Sequence, residues 1–496
     1  MAGVPAEPER HDAALRRGAL VNAIGLVGKL LYPVLIVVLT RLFGAETMGR
    51  YFLAMTVVEV GGSIASTGWA DAATLFVSRG VAQGDAGSAI SRTTGRILRQ
   101  SVALAVGLAL LVQLGAAPVV GAFFPLYADM VPGLPWLGWA LVPFVFVEAM
   151  SGVAKAHFAM GWGALFAGLR PLLLLVFAVA IHEAGGGLTA LLMSFFATTC
   201  LLALVALRPF GHYLVAGDVA AGFARPPFGW DIVRFAVPQS LNHTVSLYLA
   251  RLDVVFLAAF GTPPAALALY STAAQLTENL KQVRIVFSTA LAPIVVRHHA
   301  RGERGELARQ LTRTSRRALV LTAPLAFVVF VGQRDLLGIF DPGYATMDSS
   351  FIGVLVLAAL TAAGAGLAGN FLAFTGRSQV NLANSLLVGV SNTVLNALLI
   401  PRFALAGAAA ATATSAVLLV LLQNVQLARL EGVRMDLAKV GRPWLGWIAL
   451  GCSLFALGAP WPDRPLLRGL VVVAGLEAGG AVAWSRQIAA RRSEPG

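Results

Sequence analysis

Long apolar runs, each closed by a short polar or Gly/Pro-containing segment, recur along the whole chain. They are continuous, and each approaches the roughly 20 residues that an α-helix needs to cross a bilayer. The pattern predicts fourteen spans, at about 19–42, 50–77, 97–124, 136–157, 163–183, 187–207, 231–260, 266–296, 316–340, 350–374, 380–400, 404–427, 443–460 and 466–485. Strands of a membrane barrel would be shorter and would alternate apolar with polar positions. The expected fold class is therefore an all-α polytopic membrane protein with about fourteen transmembrane helices.

Composition agrees. Apolar residues make up 57% of the chain, charged residues only 12%, and mean hydropathy is +0.77. That is more apolar surface than a soluble chain of 496 residues can bury. A net charge of +13 would suggest nucleic acid in a soluble protein. Here the charges alternate with the loops. Counting helix ends with the loops they face, 26 of the 37 Lys and Arg fall in the N-terminus, the even-numbered loops and the C-terminus, against six in the other loops. This is the positive-inside bias, and it predicts both termini in the cytoplasm. The acidic, proline-containing start lacks a small-residue cleavage site after its first apolar run, so span 1 reads as an uncleaved anchor. Cys200 and Cys452 both fall in apolar spans and read as small core residues.

The chain also repeats itself. RLFGAETMGRYFLA around Gly44 matches LAAFGTPPAALALYSTA around Gly261, an offset of 217. FAMGWG at Gly161 and FTGRSQ at Gly376 give 215, and the basic residues ending spans 6 and 12 (Arg208 and Arg429) give 221. Two six-helix lobes in parallel pseudo-repeat around a central cleft follow, with a C-terminal helix pair outside the repeat. The expected organisation is a cytoplasmic N-terminus (1–18), an N-terminal lobe (19–207), a linker (208–230), a C-terminal lobe (231–428), helices 13 and 14 (429–485) and a cytoplasmic tail (486–496). The basic segment 297–317 reads either as an interfacial helix on anionic headgroups or as a solvated connector.

Several of these stretches, in this order, resemble one family. LTRLFGAETMGRYFLA followed by FVSRG looks like the opening of Wzx-type polysaccharide flippases of the MOP (MATE-like) superfamily. FAVPQSLNHTVSLYLARLDVVFLAAFG is similar to that family's seventh span, and IFDPGY, FTGRSQVNLAN and NALLIPRFALAGAAAATATSA follow in the family's order. The resemblance covers about residues 20–430. It implies translocation of an undecaprenyl-pyrophosphate-linked oligosaccharide from the cytoplasmic to the periplasmic leaflet of a bacterial inner membrane, for surface polysaccharides such as lipopolysaccharide O-antigen. It implies no enzymatic step, no cofactor and no metal. Membrane lipids, polysaccharide polymerase and export proteins would be the partners.

Charges inside the spans are the candidate chemistry, because a charge at the bilayer centre costs about 2.5–3.5 kcal/mol and normally faces protein or water. Lys29, Arg251 and Lys281 fall near the expected midplane, with Arg284 and Arg170 nearer the cytoplasmic side. Arginine and lysine suit a pyrophosphate because they offer several charged donors. The bland alternative is internal neutralisation, Glu278 with Lys281 and Lys29 with Glu59. Glu59, Glu148 and Glu278 are candidate coupling acids or paired structural acids. Arg251 shares a helix face with Thr244 and Tyr248 and points away from Asp253. In span 11, Asn381, Asn384 and Asn392 either contact sugar hydroxyls or bond between helices.

Other signals carry less. GAGLAG (364–369) matches a dinucleotide fingerprint but lies inside a span with no strand before it, so it reads as helix packing. No ATP-binding motif is present, and His298 and His299 lack ligand-like company. Two rival functions remain: a MATE-like cation or drug exporter, which would want an acidic cleft, and a membrane glycosyltransferase or polymerase, which usually needs a larger catalytic loop.

Overall fold

The computed structural model describes residues 7–224 and 229–441, with side chains from residue 31 onward at all but a few positions. Spans 13 and 14, Cys452, the tail and the side chain of Lys29 lie outside the described residues. Among the described residues the chain is helical and contains no strand.

Spans 1 and 2 form one element, α1 (Glu7–Gln83), which turns at Gly44 (φ 77°, ψ 164°). Spans 3 to 6 are α2 (Gly87–Phe123), α3 (Leu134–Ala156), α4 (Gly161–Glu183) and α5 (Leu188–Tyr213). The linker holds a short helix, α6 (Ala216–Ala224), and span 7 is α7 (Trp230–Ala259). Span 8 divides into α8 (Pro264–Leu280) and α9 (Gln282–Ala300). Span 9 is α10 (Arg304–Val331), followed by the short α11 (Gln333–Phe340). Span 10 divides into α12 (Phe351–Ala365) and α13 (Leu367–Phe374), and spans 11 and 12 are the two arms of α14 (Ser378–Leu430), which turns at Ala404 (φ 46°, ψ −124°). Among the described residues, eight stretches are long and apolar enough to cross a membrane. Two of them, Leu31–Gln83 and Gln379–Leu430, have 53 and 52 residues. At about 1.5 Å per residue each is long enough to cross twice. The protein is a multi-pass membrane protein.

The turns repeat more regularly than the sequence does. Positive φ occurs at Gly44, Gly84, Phe158 and Gly185, and again at Gly261, Gly302, Gly376 and Ala404, at offsets of 217, 218, 218 and 219. A duplicated six-helix unit would produce this rhythm. The third pair shifts the register of the sequence match: the residue equivalent to Gly376 is Phe158, three places before Gly161. Phe158 and Ala404 stand where their counterparts are glycine, and an L-residue there is strained because Cβ crowds the backbone.

Packing divides the chain into two compact units, Met1–Ala268 and Leu269–Gly496. In the first, α1 packs on α3, α4 and α7, while α2 packs on α3 and α6. Its core includes Trp69, Ile97, Met150, Phe166, Leu202 and Ala236. Small residues set these approaches. A Cβ on Gly95 would lie 2.1 Å from the Val219 carbonyl oxygen, and one on Gly222 would lie 2.1 Å from that of Arg92, so α2 and α6 touch backbone to backbone. In the second unit α14 packs on α12 and α13, and α9 packs on α10 and α13.

The segment 297–317 corrects an expectation. From Arg304 it is the first part of α10 and runs straight into span 9. Leu307 and Leu311 are buried with Leu291, Val295, Leu367 and Phe371. Its apolar face therefore rests on protein, where an interfacial helix would rest it on headgroups. The turn before it is fastened by a hydrogen bond between His298 and Glu303. That bond holds the Glu303 carboxyl below its usual range. A depressed carboxyl adds stability at neutral pH that is lost as pH falls through its folded value.

Replacing Gly376, whose Cβ would meet nothing within 4 Å, tests the turn geometry without touching packing. Gly376→Ala is expected to destabilise the protein by about 1–2 kcal/mol through backbone strain alone. Phe158→Gly, at a side chain 85% exposed, is expected to leave stability unchanged or raised. Thermal unfolding of the detergent-solubilised variants reads both.

Candidate functional site

Along the first unit, the second arm of α1 and helix α7 run antiparallel and meet through a ladder of polar contacts. At one end the Gly68 N–H donates to Ser240 Oγ at 3.0 Å, and a Cβ on Gly68 would lie 2.0 Å from the Ala236 carbonyl oxygen. One step on, Ser63 and Thr244 share a hydrogen bond of 2.7 Å. The next contact is an ion pair. Arg251 Nε donates to Glu59 Oε2 at 2.8 Å and Nη2 to Oε1 at 3.4 Å. The two-point fork fixes the orientation of both side chains. Each residue is about three-quarters buried, with side-chain exposures of 24% and 26%.

A second ion pair lies in the same unit. Arg170 on α4 donates through Nη2 to Glu148 Oε1 on α3 at 3.2 Å. Its guanidinium also sits 4.8 Å from the centroid of the Phe144 ring, a cation–π contact that strengthens where water is excluded. Tyr32 on the first arm of α1 lies within electrostatic reach of Glu59, Arg251 and Arg170. With both acids ionised, the two glutamates and two arginines balance.

The sequence named four of these five residues but not their pairing. Glu59 takes Arg251, where Lys29 had been its expected partner. Among the described side chains, the candidate cations Arg251 and Arg170 are each bonded to a candidate coupling acid. Arg251 does share its face with Thr244, and Asp253 turns aside to accept from the N–H of Val254 at 2.9 Å. Tyr32, Phe144, Ser63, Gly68 and Ser240 were missed. The helical spacing of Ser240, Thr244 and Arg251, against Glu59, Ser63 and Gly68, carried the signal.

In the second unit the expected Glu278–Lys281 pair is present, at 2.5 Å. Lys281 stands where α8 gives way to α9. Arg284 is turned elsewhere: its Nη1 donates to the Gly366 carbonyl at 3.0 Å. The asparagines of span 11 bond to the other arm of α14. Asn381 accepts from Gln423 at 2.7 Å, Asn384 and Gln426 exchange two hydrogen bonds, and Asn392 donates to Ser415 at 2.9 Å. Their amides are engaged within the hairpin, as buried amides in lipid must be.

No protein-family model matches the chain, and no curated protein matches it. Solved structures do. The all-helical multi-pass fold is shared with transporters of known structure. A lipid II flippase, MurJ, in an inward closed conformation aligns with a TM-score of 0.76 at 11% identity, over 95% of this chain and 100% of that one. A multidrug resistance MATE family transporter of the MOP superfamily, inward-facing, aligns at 0.65 and 12% identity, over 81% and 94%. A MOP superfamily transporter from Pyrococcus furiosus, described as having a binding pocket of reverse polarity, aligns at 0.56 and 12% identity, over 84% and 95%. Identities this low establish the shared fold.

The Glu59–Arg251 pair can be weighed by a double-mutant cycle. Arg251→Met should destabilise the protein by roughly 3 kcal/mol, because it strands a carboxylate in a poorly solvated site. Adding Glu59→Leu should recover part of that loss, with a coupling of about 1–3 kcal/mol. Unfolding midpoints of the four proteins in one detergent give the value.

Proposed function

We propose that the protein is a flippase, one that carries undecaprenyl-pyrophosphate-linked oligosaccharide from the cytoplasmic to the periplasmic leaflet of a bacterial inner membrane by alternating access. Its product would feed surface polysaccharide synthesis, and both termini would be cytoplasmic. The ordered family motifs support this reading, as does a fold shared with a lipid II flippase. The observation that carries it is the Glu59–Arg251 fork, a guanidinium held deep in a membrane helix by an anion that a phosphate can replace.

The chemistry is an exchange of anions. Arg251 presents planar N–H pairs that suit a carboxylate and a phosphate equally. While no substrate is bound, Glu59 keeps the charge neutralised in a low-dielectric site. An arriving pyrophosphate takes the fork, and Glu59 then needs a proton or a new partner. Glu148 stands in the same relation to Arg170. Glu59 and Glu148 thus serve as resident counter-ions and as the acids that take up a coupling proton. Lys281, with Glu278 as its counter-ion, would offer a further phosphate contact, as would Lys29 and Arg284. Asn381, Asn384 and Asn392 have no part in this reading, since their amides already bond within α14. No covalent step, metal or nucleotide is required.

Proteoliposomes loaded with a fluorescent undecaprenyl-pyrophosphate oligosaccharide test the reading. Wild-type protein should move it between leaflets, and Arg251→Ala and Lys281→Ala should each slow movement at least about tenfold, the worth of one charged hydrogen bond. Glu59→Gln, which frees the fork, should bind the lipid more tightly than wild type. Full movement by the correctly inserted Arg251→Ala variant would remove Arg251 from the site.

A further inference from the structure

The glycine triplet Gly364, Gly366 and Gly369 lies where span 10 approaches its neighbours closely. A Cβ on Gly364 would press on Leu319 of α10 at 3.3 Å, and one on Gly369 would meet the Gln423 amide of α14 at 2.4 Å. A Cβ on Gly366 would strike the Ala362 carbonyl oxygen at 2.3 Å and approach Arg284 Nη1 at 3.3 Å. Gly366 is also where the helical ladder of span 10 is interrupted, between the end of α12 at Ala365 and the start of α13 at Leu367.

The carbonyls at this interruption take donors from two other helices. Ala365 accepts from Asn424 Nδ2 of α14 at 3.0 Å, and Gly366 accepts from Arg284 Nη1 of α9 at 3.0 Å. One helix turn farther on, Asn370 bonds to Ser288 of α9. Backbone carbonyls in hydrocarbon must be satisfied, and helix breaks survive there only where neighbours supply the donors. The C-terminal end of α12 also carries the negative end of a helix dipole, which a guanidinium complements. Arg284 Nε is buried without a partner, and Glu278 is within electrostatic reach. Arg284 Nη1 is thus committed to the interruption.

We infer that Arg284 is a positioning residue that, with Asn424, holds span 10 in an interrupted form at Gly366. An anion that draws the guanidinium away removes one of the two donors, and the ladder then closes. Span 10 so becomes an element with two arrangements, and occupancy by an anion selects between them. The inference rests on the flippase reading for its consequence for turnover. Its consequence for the backbone rests on the geometry alone.

Backbone hydrogen exchange across residues 362–371 of the full-length protein in nanodiscs tests it directly. Arg284→Met should slow exchange at Gly369 and Asn370 roughly tenfold, as their amides regain the Ala365 and Gly366 carbonyls. Millimolar guanidinium should reverse the change, and methylammonium should not. Asn424→Leu leaves every charge in place and should slow the same two amides several-fold, which keeps the test open if the arginine variant fails to fold. Wild-type exchange in either folded variant, or no response to guanidinium, overturns the inference. If exchange shifts as expected while wild-type protein moves no lipid-linked oligosaccharide, the hinge stands and the substrate assignment falls.

Discussion

A charge inside a membrane helix must be matched by a partner within a few ångströms, and in the first unit Glu59 matches Arg251 and Glu148 matches Arg170. The Glu59–Arg251 fork ties α1 to α7 at the far end of a ladder that begins at Gly68 and Ser240. Two neutral hydrogen bonds, a close backbone contact and apolar packing such as Phe76 on Phe235 complete the seam. The same requirement shapes the second unit, where it falls on the backbone. Arg284 and Asn424 answer carbonyls at a helix interruption, and the span 11 amides answer one another across the α14 hairpin. On the proposed reading, transport would work by exchanging the partners of these paired groups.

That condition changes what a cationic site means here. An unpaired arginine would bind any passing anion and would be costly to keep in the apo state. A paired one is quiet until a competitor with better geometry arrives. A phosphate competes well with a carboxylate for a guanidinium fork, so on the proposed reading the resident glutamate would set a threshold for binding. On the proposed reading, arginines each matched by a glutamate would suit a substrate that carries its charge on phosphates.

Much of the fold was legible in the sequence because lipid imposes a length and a composition on every span. The positions of spans 1 to 12 agree with the helices, and the Phe-Gly turns at Gly44 and Gly261 share φ 77°. The third turn was misregistered by three residues, since a strained Phe158 stands where the second half has glycine, and sequence patterns look for glycine at such places. The partner of Glu59 was misjudged because pairing depends on which helix faces come together, and one face of α7 alone does not reveal that. Reading the four-residue spacing of Ser240 and Thr244 towards Arg251 against that of Glu59 and Ser63 would have pointed to the seam. Arg284 could not have been placed at all, because the interruption of span 10 leaves no signal except a glycine triplet that packing also explains.

The central claim is that phosphate charge, exchanged for carboxylate at Arg251, is what the protein recognises. The most direct measurement compares two lipids in wild-type proteoliposomes, identical in glycan and prenyl chain, one joined by pyrophosphate and the other by a neutral linkage. The account predicts that the pyrophosphate-linked lipid moves between leaflets and the neutral one stays near the rate of protein-free vesicles. Equal movement of both would contradict it, because recognition would then rest on the glycan or the chain.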